Sequence, residues 1–218
     1  VGILLVVLVC VGVPLKYRAR SATGVTWPGV PRGWRFLFLR LPAAALGRGD
    51  AAAGRAALGI GEDERVLLYA PTWRDDRTEM VDFIDPAALA AEADAVVLVR
   101  GHSRTIDPGH DSTGARVIDV TGYPETAQLM LAADALITDY SSVMFDYSVT
   151  GKPMFFLVPD LEHYRGELRG FYFDLAERAP GPLVRTQDDL VRALDDREVP
   201  VAFAQRYAAW QAQFNRRD

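Results

Sequence analysis

Thr138-Asp139-Tyr140-Ser141-Ser142 places hydroxyl and carboxylate side chains where a strand hands over to a helix. The apolar run Ala135–Ile137 reads as the strand, and the segment from about Ser142 to Val149 as the helix. Such a junction suits an anion. The first backbone N–H groups of a helix have no intrahelical partner, and the macrodipole is positive there, so Ser141 and Ser142 would add hydroxyl donors to a ready-made phosphate seat. An ordinary serine N-cap uses the same residue types, and this segment alone leaves both readings open.

Other candidates lie at the ends of further apolar runs. His102 closes a strand in Arg100-Gly101-His102-Ser103. A histidine there can carry a proton near neutral pH or, once protonated, partner a phosphate; the alternative is a structural imidazole bonded to a loop. Its position at a strand end favours function. Arg74, in Thr72-Trp73-Arg74, offers a guanidinium suited to bidentate phosphate binding. Asp139 is placed to brace the turn before the serines. His110, in a Pro/Gly/Asp loop, and His163, beside Tyr164, read as solvated or packed. Asp75-Asp76 reads as a solvated pair, and no other carboxylates have metal-ligand spacing, so the chemistry expected is metal-free and without cofactor.

The elements that must hold these residues alternate. Strands are expected at Val66–Tyr69, Ala95–Arg100, Val117–Val120, Ala135–Ile137 and Met154–Leu157, with helices at Pro86–Ala93, Tyr123–Ala132, Ser142–Val149, Gln187–Asp195 and Val201–Phe214. Continuous apolar strands alternating with helices predict an α/β fold, a Rossmann-like parallel sheet covered on both faces, with ligands at the carboxyl ends of the strands. The 218 residues suit one such domain plus extra segments. A formal charge of −5 argues against nucleic acid as a partner. Cys10, the single cysteine, excludes an intramolecular disulfide.

In order along the chain, Leu67-Leu68-Tyr69-Ala70-Pro71-Thr72-Trp73-Arg74, Arg100-Gly101-His102, Thr138-Asp139-Tyr140-Ser141-Ser142, Tyr164, Arg169-Gly170-Phe171-Tyr172 and Pro180-Gly181-Pro182 resemble the CDP-glycerol glycerophosphotransferases, the teichoic acid primases and polymerases. The resemblance runs from about Val66 to Leu194 and implies the C-terminal, donor-binding half of a GT-B glycosyltransferase fold. It implies transfer of glycerophosphate from CDP-glycerol, or a related CDP-polyol, to a wall polymer or lipid-linked glycan acceptor. CMP is then the leaving group, and Ser141 and Ser142 would neutralise its charge.

The resemblance assigns His102, with Gly101 beside it, to the phosphate, and expects the base acting on the acceptor from another domain. It places Thr72 and Arg74 at the pyrophosphate and Thr121-Gly122-Tyr123 beside base and ribose. Asp146 is positioned to accept from ribose or glycerol hydroxyls, or merely to complement the helix dipole. Arg169 would close over the phosphates as a lid, or form a surface salt bridge.

Residues 1–55 read as an atypical or truncated N-terminal segment, 56–200 as the CDP-donor-binding domain and 201–218 as a C-terminal helix. The apolar run Val1–Leu15, followed by Lys16, Arg18 and Arg20, falls short of a bilayer span, and its charges follow rather than precede it as in a signal peptide. Peripheral membrane contact stays open, and the expected location is the cytoplasm or the cytoplasmic face of the plasma membrane. Competing readings are a non-catalytic nucleotide-binding fragment and a CDP-ribitol or nucleotide-sugar transferase of the same fold.

Overall fold

A computed structural model of the chain describes residues 50–72, 83–101, 116–164 and 173–215. Its centre is a six-stranded sheet of β1 (Val66–Ala70), β2 (Val96–Val99), β3 (Val117–Asp119), β4 (Ala135–Thr138), β5 (Met154–Leu157) and β6 (Leu183–Val184). The order is β3-β2-β1-β4-β5-β6, and every pairing is parallel. Period-two alternation sends Val66, Leu68, Leu136, Met154 and Phe156 to one face and Leu67, Tyr69, Ile137, Phe155 and Leu157 to the other. Both faces are covered by helices, which is why β1, β2 and β5 are apolar throughout.

The first face packs against α3 (Thr126–Ala132) through Leu129 and Met130, and against α4 (Val143–Tyr147) through Met144 and Tyr147. The second packs against α2 (Pro86–Glu92) through Leu89 and Ala90, and against α7 (Gln187–Asp195) through Leu190 and Leu194. These are the α/β architecture and two-sided cover expected from the sequence. Short helices α5 (Leu161–His163) and α6 (Leu175–Arg178) lie between β5 and β6, and α8 (Val199–Phe214) closes the described chain.

Two helices are shorter than the periodicity predicts. Tyr123 belongs to a turn, its N–H donating to the Val120 carbonyl at 3.0 Å, so α3 begins only at Thr126. The helix after β4 stops at Tyr147 and tightens into a 3₁₀ turn over Ser148–Thr150. Ser148 Oγ donates back to the Phe145 carbonyl and Thr150 Oγ1 to the Tyr147 carbonyl, both at 2.7 Å, which draws hydroxyls into the backbone ladder. Gly151 then ends the turn in the left-handed region, at φ 73°. Ser148 is fully buried because α8 docks on it, Gln211 Nε2 donating to its carbonyl at 2.7 Å while Trp210 stacks on Phe145 with centroids 5.1 Å apart.

The amino ends of the strands are locked by Arg55, in α1 (Asp50–Ala57). Its guanidinium grips both carboxylate oxygens of Asp134 at 2.9 Å and donates to the carbonyls of Ala132 (3.0 Å) and Glu64 (2.8 Å). Asp134 in turn accepts from the Val66 N–H at 2.8 Å. Arg55→Ala should therefore cost about 1–3 kcal/mol, chiefly because it strands the part-buried carbonyls of Ala132 and Glu64, the Asp134 carboxylate being exposed enough to turn to water. A urea midpoint equal to the parent's would rule that lock out. Arg55 thereby ties α1 to α3, and at the other end of the described chain α8 begins at Val199.

Candidate functional site

Chain connections leave β1 in one direction across the sheet and β4 in the other, so a crevice opens between the carboxyl ends of these two strands. Thr138 Oγ1 bridges them, donating to the Ala70 carbonyl at 2.8 Å. Asp139, only 1% exposed, accepts at one carboxylate oxygen from Thr72 N–H (2.8 Å), Thr72 Oγ1 (2.7 Å) and Tyr140 N–H (2.5 Å). The β1 and β4 loops are thereby tied at the mouth of the crevice. Tyr140 is fixed from its other end, its hydroxyl donating to Asp160 at 2.9 Å and its ring stacked on Tyr164 with centroids 3.9 Å apart.

Ser141 and Ser142 follow directly and are half-buried. Ser142 adopts helical dihedrals and makes no side-chain capping bond, and Ser141 Oγ accepts from the Val143 N–H only at a long 3.4 Å. Neither hydroxyl is well used by the helix it precedes. One turn on, burial lifts the Asp146 carboxyl to about 6.

A second group sits at the ends of β2 and β3. Gly101 N–H donates to Thr121 Oγ1 at 2.9 Å, and Thr121 N–H donates to Asp119 at 2.8 Å. Arg100 reaches the carbonyls of Val120 (3.0 Å) and Tyr123 (3.1 Å), with its pKa drawn down by burial. The Tyr123 hydroxyl is committed to Gln128 at 2.8 Å.

The structure thus brings together Thr72, Asp139, Ser141 and Ser142, with Asp146 on the same short helix, and separately Gly101, Thr121 and Tyr123. Both groups are at carboxyl ends of one sheet. Arg74, His102 and Arg169 lie outside the described residues. Sequence reasoning gave no role to Arg100 or Asp119; a charge flanking an otherwise apolar strand is the signal that would have found them. Among the described residues no group of three or more His, Cys, Asp or Glu side chains is placed to hold a metal, and no helix is long and apolar enough to cross a membrane.

Comparison with known proteins gives this geometry a family. Residues 47–217 match the model of the CDP-Glycerol:Poly(glycerophosphate) glycerophosphotransferase family. The chain is 39% identical over 169 residues to a teichoic acid poly(glycerol phosphate) polymerase of Bacillus subtilis (strain 168), covering 70% of this chain and 22% of that protein. It is 41% identical over 150 residues to a teichoic acid glycerol-phosphate transferase of Staphylococcus aureus (strain NCTC 8325 / PS 47), covering 64% and 38%. The matched stretch is thus well under half the length of these relatives. Among solved structures, the wall teichoic acid polymerase TagF superposes with a TM-score of 0.67 at 34% identity, over 76% of this chain and 42% of that one. A TagF variant soaked with CDPG gives 0.66 at 35% identity, over 77% and 41%. With a match that takes in every strand and both groups of strand-end residues, the chain belongs to the CDP-glycerol:poly(glycerophosphate) glycerophosphotransferase family.

Proposed function

We propose that this chain holds the donor site of an enzyme that transfers glycerophosphate from CDP-glycerol to a teichoic acid or related wall glycan. The observation that carries the reading is the pair of little-used hydroxyls, Ser141 and Ser142, at the crevice between β1 and β4. The pyrophosphate lies against these hydroxyls and the backbone N–H groups around them, and the Thr72–Asp139 tie keeps that surface preorganised. Attack of an acceptor hydroxyl on the glycerol-bearing phosphorus breaks the bond to the bridging oxygen, and CMP departs with the negative charge. Ser141 and Ser142, with His102, Arg74 and Arg169, stabilise that charge, and Asp146 accepts from a ribose or glycerol hydroxyl. The base acting on the acceptor comes from outside the described site. The work is done in the cytoplasm or at its membrane face, where the acceptor is lipid-linked.

A CDP-ribitol donor is the second reading, because a teichoic acid ribitol-phosphate primase of Bacillus spizizenii is 35% identical over 160 residues. The glycerol-phosphate enzymes named above stand higher, at 39% and 41%. Replacing both serines with alanine should weaken CDP-glycerol about tenfold to a hundredfold, at roughly 1.5 kcal/mol or more for a hydrogen bond to a charged group, while cytidine stays within about twofold. Calorimetric titration of both ligands decides it. Equal losses for the two would make the serines structural and move the phosphate seat elsewhere.

A further inference from the structure

Asp119 is only half used. One carboxylate oxygen accepts from the Thr121 N–H at 2.8 Å; the other, Oδ2, is buried and has no hydrogen-bond partner among the described residues. Asp134 shows what a purely structural aspartate looks like in this protein, with both oxygens engaged by Arg55 and one also by Val66 N–H. A buried, unpartnered carboxylate oxygen carries a desolvation cost, so a donor brought to it by a ligand would gain more than at a group already satisfied. Arg100 does not supply it: among the described residues its guanidinium is committed to the carbonyls of Val120 and Tyr123 and forms no ion pair with Asp119.

The location says what that partner is. Asp119 ends β3, and Ser141 follows β4, with β2 and β1 between them. At about 4.8 Å per strand the two ends are roughly 14 Å apart across the sheet, the scale of a nucleoside diphosphate laid from its phosphates to its base. With the phosphates at the β1–β4 crevice, the base reaches the Asp119 turn. Oδ2 is shielded from solvent, so contact needs a small local shift at this turn. Gly122 brings no side chain to that movement, and a Cβ added there would meet nothing within 4 Å.

Resting on the donor reading above, we infer that Asp119 is the base-specificity residue of this site: its unused Oδ2 accepts a hydrogen bond from the exocyclic amino group of cytosine. Uracil presents a carbonyl oxygen at the same ring position, and two acceptors facing each other in a water-poor site repel. Asp119→Asn is close to isosteric. Its amide oxygen keeps the bond from Thr121 N–H, and its NH₂ then faces the base as a donor, so the preference should turn toward uracil.

The test is calorimetric titration of the purified chain and its Asp119→Asn variant with CMP, UMP and the 2-pyrimidinone ribonucleotide, which carries hydrogen in place of the amino group. The parent chain should prefer CMP to both of the others by about tenfold or more, and the variant should lower the CMP-to-UMP ratio by at least about tenfold. A structural role for Asp119 would weaken all three alike and leave the ratio unchanged, and that result overturns the inference while the donor reading stands. Should the variant fail to fold, the parent's response to the 2-pyrimidinone nucleotide decides: affinity equal to that for CMP removes the amino-group contact. A parent chain that binds none of these nucleotides, nor CDP-glycerol, sinks the donor reading itself and this inference with it.

Discussion

Gly181→Ala should lower the stability of this domain by about 3 kcal/mol or more, the upper range for forcing a group into a packed interior, and its melting temperature by about 10 °C. The reason is a close approach of two backbones. A methyl group built on Gly181 would fall inside the van der Waals envelope of the Met154 carbonyl oxygen. Met154 opens β5, is 1% exposed and pairs with Leu136 of the neighbouring strand, so its carbonyl has nowhere to go. On the other side the Gly181 segment is held by Pro180 and Pro182, and the Pro182 carbonyl accepts from Phe156 N–H at 2.9 Å, which starts the β5–β6 ladder. Strain at Gly181 would therefore be relieved by parting β6 from the sheet. Gly122→Ala is the matched control, since the space at that turn is open, and it should shift stability by no more than about 0.5 kcal/mol. Denaturant unfolding of the two variants beside the parent measures both. A Gly181→Ala protein as stable as the parent would show that Pro180-Gly181-Pro182 is kept for some reason other than this contact.

The strands were legible because a parallel sheet covered on both faces leaves a simple mark, and β1, β4 and β5 show it as uninterrupted runs of apolar residues bounded by turns. Once their alternation with helices was read, the carboxyl ends of the strands followed as the place for a ligand. Less legible was whatever depends on a partner far away in the sequence. Thr72 and Asp139 meet across 67 residues, and Tyr140 and Asp160 across 20. Arg55 lies in an Ala/Gly/Arg stretch with no hydrophobic period, yet six backbone and side-chain acceptor atoms among the described residues converge on it in space. The two-residue β6 is below the length at which a period can be seen, and its assignment to the sheet comes from the Pro182 and Val184 carbonyls that pair with β5 and the residue after it. Helix α4 ended early for a local reason that the sequence does carry: Ser148 and Thr150 hydroxyls compete for the carbonyls a longer helix would need.

Asp146→Asn should make the protein more stable and less able to hold the CDP-glycerol donor proposed for it. Burial raises the Asp146 carboxyl from an ordinary 3.8 to about 6, so the folded state holds this proton more tightly than the unfolded state does. Between about pH 4 and pH 6 the folded form is therefore the more protonated one, and stability falls as the pH rises through that window. Above it the ionised carboxylate costs up to about 3 kcal/mol relative to a neutral group, at about 1.4 kcal/mol per pH unit. Asparagine has nearly the same shape and no charge, so the variant should gain up to that amount at pH 8 and nothing near pH 4, where the parent's carboxyl is already protonated. Equal stability of the two proteins at pH 8 would show that the ionised group is well solvated. The carboxylate accepts no hydrogen bond among the described residues, and it stands one turn from Ser142, at the crevice assigned to the phosphates. A sequence that keeps an unpaired charge at such a cost has a use for it outside folding, and accepting from a donor hydroxyl is the use this position offers. On that account the same substitution weakens CDP-glycerol about tenfold at pH 8, the size of one charge-assisted hydrogen bond, and leaves free pyrophosphate untouched. A variant that is stabilised yet binds CDP-glycerol as well as the parent would reduce Asp146 to a partner of the helix dipole, and the hydroxyls of the donor would then have to be read by another residue.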